Sequence, residues 1–246
     1  DFTSMLIGGI SALLLQALHP LALAGVWDHS NFRDDLLGRL RRTGQFISGT
    51  TYGSRADADW LIDKVKRIHL GVTGIAPDGR PYAASDPALL TWVHVAEVQS
   101  FLQAHLRYRN PQLSGADQDR YYSEIALIAE RLGATQVPRS RAEVADYLAA
   151  VRPQLRCEER SHEVLRILLD APAPSAMAAP VARLLMLAGI DLLPDWAQAM
   201  LERRIGPTRS RLIHGGVHSL APVLRWAVRS SAAQRAHKRL APAPLG

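Results

Sequence analysis

Residues 5–27 read MLIGGISALLLQALHPLALAGVW, and this stretch decides the fold class because it is long and apolar enough for a buried or membrane-embedded helix. Pro20 lacks a backbone N–H, so it predicts a helix that kinks or ends at Leu18 or His19. Gln16 and His19 are polar, and no Lys or Arg precedes the stretch. We expect a buried core helix whose two polar side chains face something polar. An embedded or peripheral membrane anchor is the alternative.

The composition of the 246-residue chain predicts helices and limits its partners. Ala and Leu, both strong helix formers, dominate, and only 6% of the residues are aromatic. The net charge of +6 comes mostly from scattered Arg, with neither zinc-finger spacing nor an aromatic–basic stripe, so we expect no nucleic-acid partner. A basic surface suits an anionic ligand and an acidic membrane equally.

Cys157 is the single cysteine, which excludes an intrachain disulfide and a four-cysteine metal site. A single cysteine is typical of a reducing compartment. We therefore expect a cytoplasmic protein, with membrane association as the alternative.

The first half of the chain predicts helices separated by glycine-rich turns. Residues 34–42 form a short charged helix in this interpretation, and residues 44–53 (GQFISGTTYG) form a turn or loop. Ser54 then begins a new helix as its N-cap, with Asp57 three residues later as an imperfect capping box. Apolar residues recur along this helix at a spacing that predicts a buried stripe: Leu61, Val65, Ile68 and Val72. His69 lies on or beside the same face.

The rest of the chain completes an all-α, single-domain prediction for residues 1–246. Residues 74–85 are rich in turn residues and predict a loop, and Asp86-Pro87 then begins a helix over 88–108. Further helices are predicted at 117–132, 141–148, 161–169, 181–193, 195–204 and around 220–228. Residues 170–180 form a low-complexity linker, and residues 229–246 a frayed tail. We find no alternating strand pattern and no Rossmann or P-loop glycine pattern.

His69 is the leading candidate among the histidines. A histidine on an apolar helical face is usually a hydrogen-bonded core residue. Here the apolar helix surface and the neighbouring Gly71 and Gly74 suit a flat hydrophobic macrocycle, and neutral imidazole is a common axial haem ligand. His94, on the next helix, is a second axial ligand, a distal hydrogen-bonding group, or a packed histidine tied to Glu97; we slightly favour the last.

Two further histidine patterns are weaker. His214 and His218 have the i, i+4 spacing of a helical metal site, but the two glycines between them argue against a helix, and no third ligand is evident. His162-Glu163 has no second histidine at the metalloprotease position, which excludes that class.

Arg39 and Arg42 share one helical face, and Thr43 follows at once. One interpretation is a solvated basic helix end, where cations are favoured by the helix dipole. The other places one or both guanidinium groups over a carboxylate, a haem propionate or bound dioxygen. The spacing does not choose between them.

Four motifs together resemble a known oxygenase family. They are Q-A-L-H-P (16–20), R-L-R-R-T (39–43), H-x-x-V-x-G (69–74) and Y-x-A-x-D-P-x-L-L-x-W-V-H (82–94). In order and spacing the chain resembles the family of latex clearing protein, which cleaves rubber, and the mycophenolate-pathway enzyme MpaB. The resemblance covers roughly residues 14–101.

The resemblance implies an all-helical fold that binds haem b through a single proximal histidine, which is His69 here. Arg39 and Thr43 match the family's Arg and Thr, and Arg42 stands where the family has Lys. In the family, an acidic residue upstream of this motif acts as a base. The corresponding region here has no carboxylate, and His19 is the candidate to replace it. Residues expected at the haem besides the ligand are Val65, Val72 and His94.

The function implied by the resemblance is a haem b-dependent oxygenase acting with dioxygen or peroxide on an apolar, lipid-like or isoprenoid-like substrate. Two alternatives remain open. One is a haem-binding sensor or carrier without turnover. The other is a haem-free helical protein that binds a membrane or a hydrophobic ligand. The oligomeric state stays undetermined.

Overall fold

The computed structural model describes residues 1–173, 175–227, 236 and 239, and their regular secondary structure is helical apart from one short hairpin. The helices of the described chain are α1 (Phe2–Gln16), α2 (Pro20–His29), α3 (Leu36–Tyr52), α4 (Arg55–Leu70), α5 (Pro87–Tyr108), α6 (Gly115–Leu132), α7 (Arg141–Val151), α8 (Glu159–Leu169), α9 (Ala179–Leu192), α10 (Asp195–Met200) and α11 (Pro207–Ala227). Strands β1 (Thr73–Ile75) and β2 (Pro81–Ala83) form the hairpin. The all-α prediction is confirmed.

The N-terminal apolar stretch is two helices, as Pro20 predicts. Pro20 is the first residue of α2, where a missing N–H costs no hydrogen bond, and His19 caps that helix. The axes of α1 and α2 are bent by 107° relative to each other. Leu14 and Leu18 are almost fully buried, so the prediction of a core helix is confirmed.

Within the described residues, no single helix has the length and apolarity needed to cross a membrane. The bent pair of α1 and α2 reaches that threshold only when the two helices are taken together.

Helix α3 corrects the prediction that residues 44–53 form a loop. The helix continues through Gly44 and Gly49 to Tyr52, where the sequence predicts that it ends after residue 42. Glycine costs a helix about 1 kcal/mol relative to alanine, but a Cβ at Gly49 would collide with the Leu61 side chain of α4. Gly49 therefore allows α3 and α4 to pack closely, and tertiary packing overrides the local propensity.

Helix α4 begins as predicted and differs from the prediction in its buried face. Ser54 and Asp57 form a complete capping box: the Asp57 N–H donates to Ser54 Oγ at 3.1 Å and the Ser54 N–H donates to Asp57 Oδ2 at 3.3 Å. The fully buried residue of α4 is Ile62, whereas Ile68 is 55% exposed. The predicted stripe is therefore wrong at Ile68, because α4 contacts its neighbours along a face rotated toward Ile62.

The hairpin corrects the prediction of an irregular loop over 74–85. Gly74 pairs with Tyr82 in antiparallel register, and the turn contains Gly79 at φ +85°. A Cβ at Gly74 would lie 2.5 Å from the Tyr82 hydroxyl oxygen, so glycine is needed for Tyr82 to cross β1. Strands of three residues are too short to show an alternating pattern, which is why the sequence does not reveal them.

Helix α5 begins at Pro87 as predicted, with Asp86 Oδ1 accepting from the Ala88 N–H at 2.7 Å. It packs along α1 and buries Trp92, Val95 and Ala96 in the main core.

Helix α11 is much longer than the predicted segment around 220–228, and it contains the HGGVH sequence that we expect not to be helical. The rings of His214 and His218 lie against each other at a tilt of 53°, with centroids 4.5 Å apart. A Cβ at Gly216 would lie 3.1 Å from Leu184 of α9, so this glycine serves close helix packing.

Helix α10 ends at Met200, short of the predicted residue 204. The predicted tail at 229–246 lies outside the described residues, apart from 236 and 239.

Candidate functional site

A cavity of about 280 Å³ opens where the end of α1, α2, the first half of α3, the end of α4, the hairpin, the start of α5 and α8 meet. This volume lies near the lower end of the range usual for small-molecule sites. The walls are mainly apolar, formed by Leu13, Ala17, Leu21, Ala22, Leu23, Gly25, Val26, Phe32, Leu36, Val72, Ala84, Leu89, Leu90, Val93, Val164, Ile167 and Leu168. Its polar residues are Gln16, His29, Ser30, Arg39, His69 and Tyr82.

His69 reaches the cavity from the last turn of α4. Its Nδ1 is buried and has no hydrogen-bond partner in the described part of the chain. Burial lowers the pKa of the imidazole, so the ring is neutral at neutral pH. Neutral imidazole has the lone pair that a metal ligand needs. A buried polar atom without a partner is uncommon in a native protein and often marks a functional position.

Arg39 lies in the second turn of α3 and contributes the permanent positive charge of the cavity wall. Its Nη1 donates to Ser30 Oγ at 2.9 Å. Burial and the nearby Arg42 guanidinium both lower the pKa of Arg39. Among the described residues, Arg39 forms no ion pair, and no Asp or Glu lines the cavity.

Tyr82 points its hydroxyl from β2 toward the end of α2. The hydroxyl donates to Asp28 Oδ2 at 2.7 Å, and burial together with Asp28 raises the pKa of Tyr82 to about 12. Asp28 also faces the Arg160 guanidinium of α8 at 3.6 Å. The hydrogen bond with Asp28 thus places a carboxylate next to Tyr82, although Asp28 itself does not line the cavity.

Two other polar lining residues are held by backbone carbonyls. Gln16 Nε2 donates to the Val93 carbonyl at 3.0 Å, which ties the end of α1 to α5. His29 Nε2 lies 3.0 Å from the Thr73 carbonyl. Because a carbonyl oxygen only accepts, Nε2 is the donor in this contact.

The structure brings together three of the residues singled out from the sequence: Arg39, His69 and Val72 all line the cavity. Val65 is half-buried on α4 and does not reach the cavity. His94 lies beyond the cavity on α5, and burial lowers its pKa to about 4. Its Nε2 is buried without a partner among the described residues, so the expected tie to Glu97 is not formed at that nitrogen.

The other predicted residues also lie outside the cavity wall. Arg42 is exposed and donates to Asp35 at 3.4 Å and to Asn31 at 3.1 Å, and Thr43 is exposed on the outer face of α3. His19 is buried, and its Nδ1 accepts from the Ala22 N–H at 3.5 Å as the cap of α2. Arg39 and Arg42 are three residues apart on one broad face of α3, yet their surroundings differ. One edge of this face borders the cavity and holds Arg39, and the other borders solvent and holds Arg42.

Sequence reasoning does not find His29, Ser30 or Tyr82 as lining residues. Tyr82 appears only as the first letter of a family motif, and the hairpin that aims it at the cavity leaves no periodic signal. His29 and Ser30 end α2, whose direction depends on the 107° bend after α1. Only the bend itself, at Pro20, is visible in the sequence.

A family model described as "ER-bound oxygenase mpaB/B'/Rubber oxygenase, catalytic domain" matches residues 1–226. The chain belongs to this oxygenase family. The match covers every element that lines the cavity. No curated protein and no solved structure matches the chain. Membership in the mpaB/rubber oxygenase family supports an oxygenase-type activity, with dioxygen and a substrate as partners in general. The cavity is the candidate site for that activity.

Proposed function

We propose that this member of the mpaB/rubber oxygenase family is a haem b-dependent oxygenase that acts with dioxygen or peroxide on an apolar, lipid-like or isoprenoid-like substrate. The observation that carries the proposal is the cavity itself, an apolar chamber with His69 in its wall. His69 has a buried Nδ1 without a partner and a neutral ring.

The residues of the cavity fit a haem group. His69 would hold the iron, since neutral imidazole is a common axial ligand. Val72 and Val93, both in the cavity wall, would pack against the macrocycle. When bound, haem supplies the one-electron chemistry that activates dioxygen or peroxide.

The chain's own side chains supply binding and orientation. The leucine, valine and isoleucine walls bind a hydrocarbon and exclude water, which strengthens polar interactions inside the cavity. Tyr82 donates its hydroxyl proton to the Asp28 carboxylate at 2.7 Å, which leaves the lone pairs of the hydroxyl oxygen as acceptors at the edge of the cavity. Gln16, bound to the Val93 carbonyl, fixes the wall where α1 meets α5.

An absorption spectrum tests the haem assignment. Protein expressed with adequate haem supply is expected to show a Soret band and stoichiometric haem. His69→Ala is expected to lose the haem or shift the band, whereas His162→Ala, an exposed histidine on α8, leaves both unchanged. Unchanged haem content in His69→Ala would refute His69 as the ligand and would make His94 the next residue to substitute.

Oxygen consumption separates an oxygenase from a haem carrier. The holoprotein is expected to consume dioxygen in the presence of isoprenoid or unsaturated lipid alkenes and to yield oxygenated products detectable by mass spectrometry. A haem-loaded protein that consumes no dioxygen and forms no product with any of these alkenes would instead support the sensor or carrier.

A further inference from the structure

We propose that the ligand of the cavity carries a carboxylate and that Arg39 binds this group. The proposal rests on the proposed function in one respect, namely that the cavity is the ligand site. It goes further by assigning a charge to one end of an otherwise apolar ligand.

The first argument is that Arg39 has no counter-charge of its own. Asp35, the acidic residue closest to it along α3, caps that helix through the Gly38 N–H and pairs with Arg42. Asp28 accepts from Tyr82 and faces Arg160. Both carboxylates thus have other partners, and Arg39 pairs with neither in the described part of the chain.

The second argument is the surroundings of the guanidinium. Arg39 is flanked by an apolar wall and donates one hydrogen bond, to the neutral Ser30 hydroxyl. A cation partly removed from water without a charged partner carries a desolvation cost, and an anion delivered by a ligand offsets it. The four remaining N–H donors of a guanidinium form a fork that matches the two oxygens of a carboxylate.

The third argument concerns the rest of the cavity. Leu13, Leu21, Leu89 and Ile167 present hydrocarbon surface, and no second cation lines the walls of the described cavity. One positive group in an apolar chamber favours a ligand with one acidic end and a hydrocarbon body. Two sources offer this chemistry: a substrate that is an apolar carboxylic acid, and the propionate side chain of haem.

The first arm of the test uses the full chain without added haem. Isothermal titration calorimetry compares decanoate with 1-decanol, which has the same alkyl chain and no charge. The wild-type protein is expected to bind decanoate at least about tenfold more tightly, as a charge-assisted hydrogen bond implies. Arg39→Gln is expected to remove this preference and Arg39→Lys to keep part of it.

Arg41→Gln is the matched control, since it removes the same charge from an exposed position on the same helix. It is expected to keep the full preference for the acid. Circular dichroism and urea unfolding of each variant show whether the protein remains folded. A loss of the preference in Arg39→Gln and Arg41→Gln alike would overturn the proposal, because general surface charge would then explain it.

The second arm titrates haem b and its dimethyl ester, in which the propionates are neutral, and follows the Soret band. A preference for haem b that Arg39→Gln abolishes identifies the propionate as the partner of Arg39. A preference for decanoate that Arg39→Gln abolishes identifies a free acid. If neither arm shows a preference that depends on Arg39, the proposal is wrong.

The outcomes also separate this proposal from the haem assignment. A Soret band that depends on His69, with no carboxylate preference in either arm, refutes the role of Arg39 alone. A preference for decanoate in a protein that never binds haem refutes haem dependence and leaves the role of Arg39 supported.

Discussion

The Tyr82 hydroxyl and the Asp28 carboxylate are joined by a 2.7 Å hydrogen bond that links the hairpin to the end of α2. Tyr82 is 5% exposed and packs with Ala24 and Ala76, so this bond lies at the centre of the contact between the two elements. The position of α2, and with it one wall of the cavity, depends on this contact.

Tyr82→Phe is therefore expected to lower the free energy of unfolding by about 1.5–3 kcal/mol, the usual net contribution of a hydrogen bond to a charged group. Urea denaturation measures the change. A double-mutant cycle with Asp28→Ala, which removes the acceptor, isolates the coupling between the two side chains. A coupling energy of zero would show that the bond does not hold the hairpin against α2.

Substitution by alanine at Gly8 and at Gly44 should change the free energy of unfolding in opposite directions. A Cβ at Gly8 would lie 2.8 Å from Phe101 Cδ1 and 3.1 Å from the Ser100 carbonyl, so Gly8→Ala forces α1 away from α5. We expect a loss of about 1–3 kcal/mol, as for other overpacked cores. A Cβ at Gly44 has no neighbour within 4 Å, and Gly44→Ala should stabilise α3 by up to about 1 kcal/mol. Thermal and urea unfolding of the two variants compare them directly, and destabilisation by Gly44→Ala would contradict the continuous α3.

Glu97 is expected to make stability depend on pH. Burial raises its pKa from 4.5 to about 7, so the folded protein keeps a proton that the unfolded chain releases between these values. The stabilising contribution is complete below pH 4.5 and is lost as the pH rises through 7. Glu97→Gln should accordingly be more stable than the wild type at about pH 8 and equal to it at about pH 4.

Unfolding in urea at the two pH values measures this difference. The neighbouring titratable groups are His94 on the same helix and Tyr121 on α6. His94 has the opposite pH dependence, since its pKa is lowered to about 4, but it is present in both proteins and cancels in the comparison. The exposed Glu124→Gln is the control, and a pH effect of the same size there would contradict the role of Glu97.

The ion pair between α5 and α9 should contribute more than any exposed pair. Arg107 Nη1 lies 2.9 Å from Asp191 Oδ2, the Asp191 side chain is 3% exposed, and Ser210 Oγ donates to the same oxygen at 2.9 Å. Asp191→Ala should cost about 2–3 kcal/mol, below the full value for a buried pair because Arg107 is 36% exposed. Glu124→Ala, which breaks an exposed pair with Arg120, should leave the urea midpoint unchanged. Equal effects of the two variants would refute the argument from burial.

The helix starts were predictable because capping is local chemistry. Ser54, Asp86 and Pro20 each mark a helix start within a few residues, and the structure confirms all three. The interiors of α3 and α11 were not predictable from the same rules. Gly49 and Gly216 are unfavourable in an isolated helix and become favourable only when Leu61 and Leu184 pack over them, which depends on distant parts of the chain.

In the candidate site, too, local motifs were predictable from the sequence and long-range contacts were not. His69 and Arg39 stand in recognisable motifs, and the structure places both in the cavity wall. The residues that surround His69 and Arg39 could not be predicted from the sequence. The hydroxyl of Ser30 and the hairpin carrying Tyr82 reach the cavity only because the chain bends after α1. Sequence spacing also gives Arg39 and Arg42 the same face, whereas burial separates an unpaired cavity cation from an exposed one.

The cavity described here has an uneven origin along the chain. Its lining comes from residues 13–93, except for Val164, Ile167 and Leu168 of α8. Helices α9 to α11 contribute support without touching the ligand space of the described cavity. A library of variants confined to codons 13–93, plus three codons of α8, would therefore sample every position that lines this cavity, while the remaining helices are left as an unaltered frame for laboratory evolution.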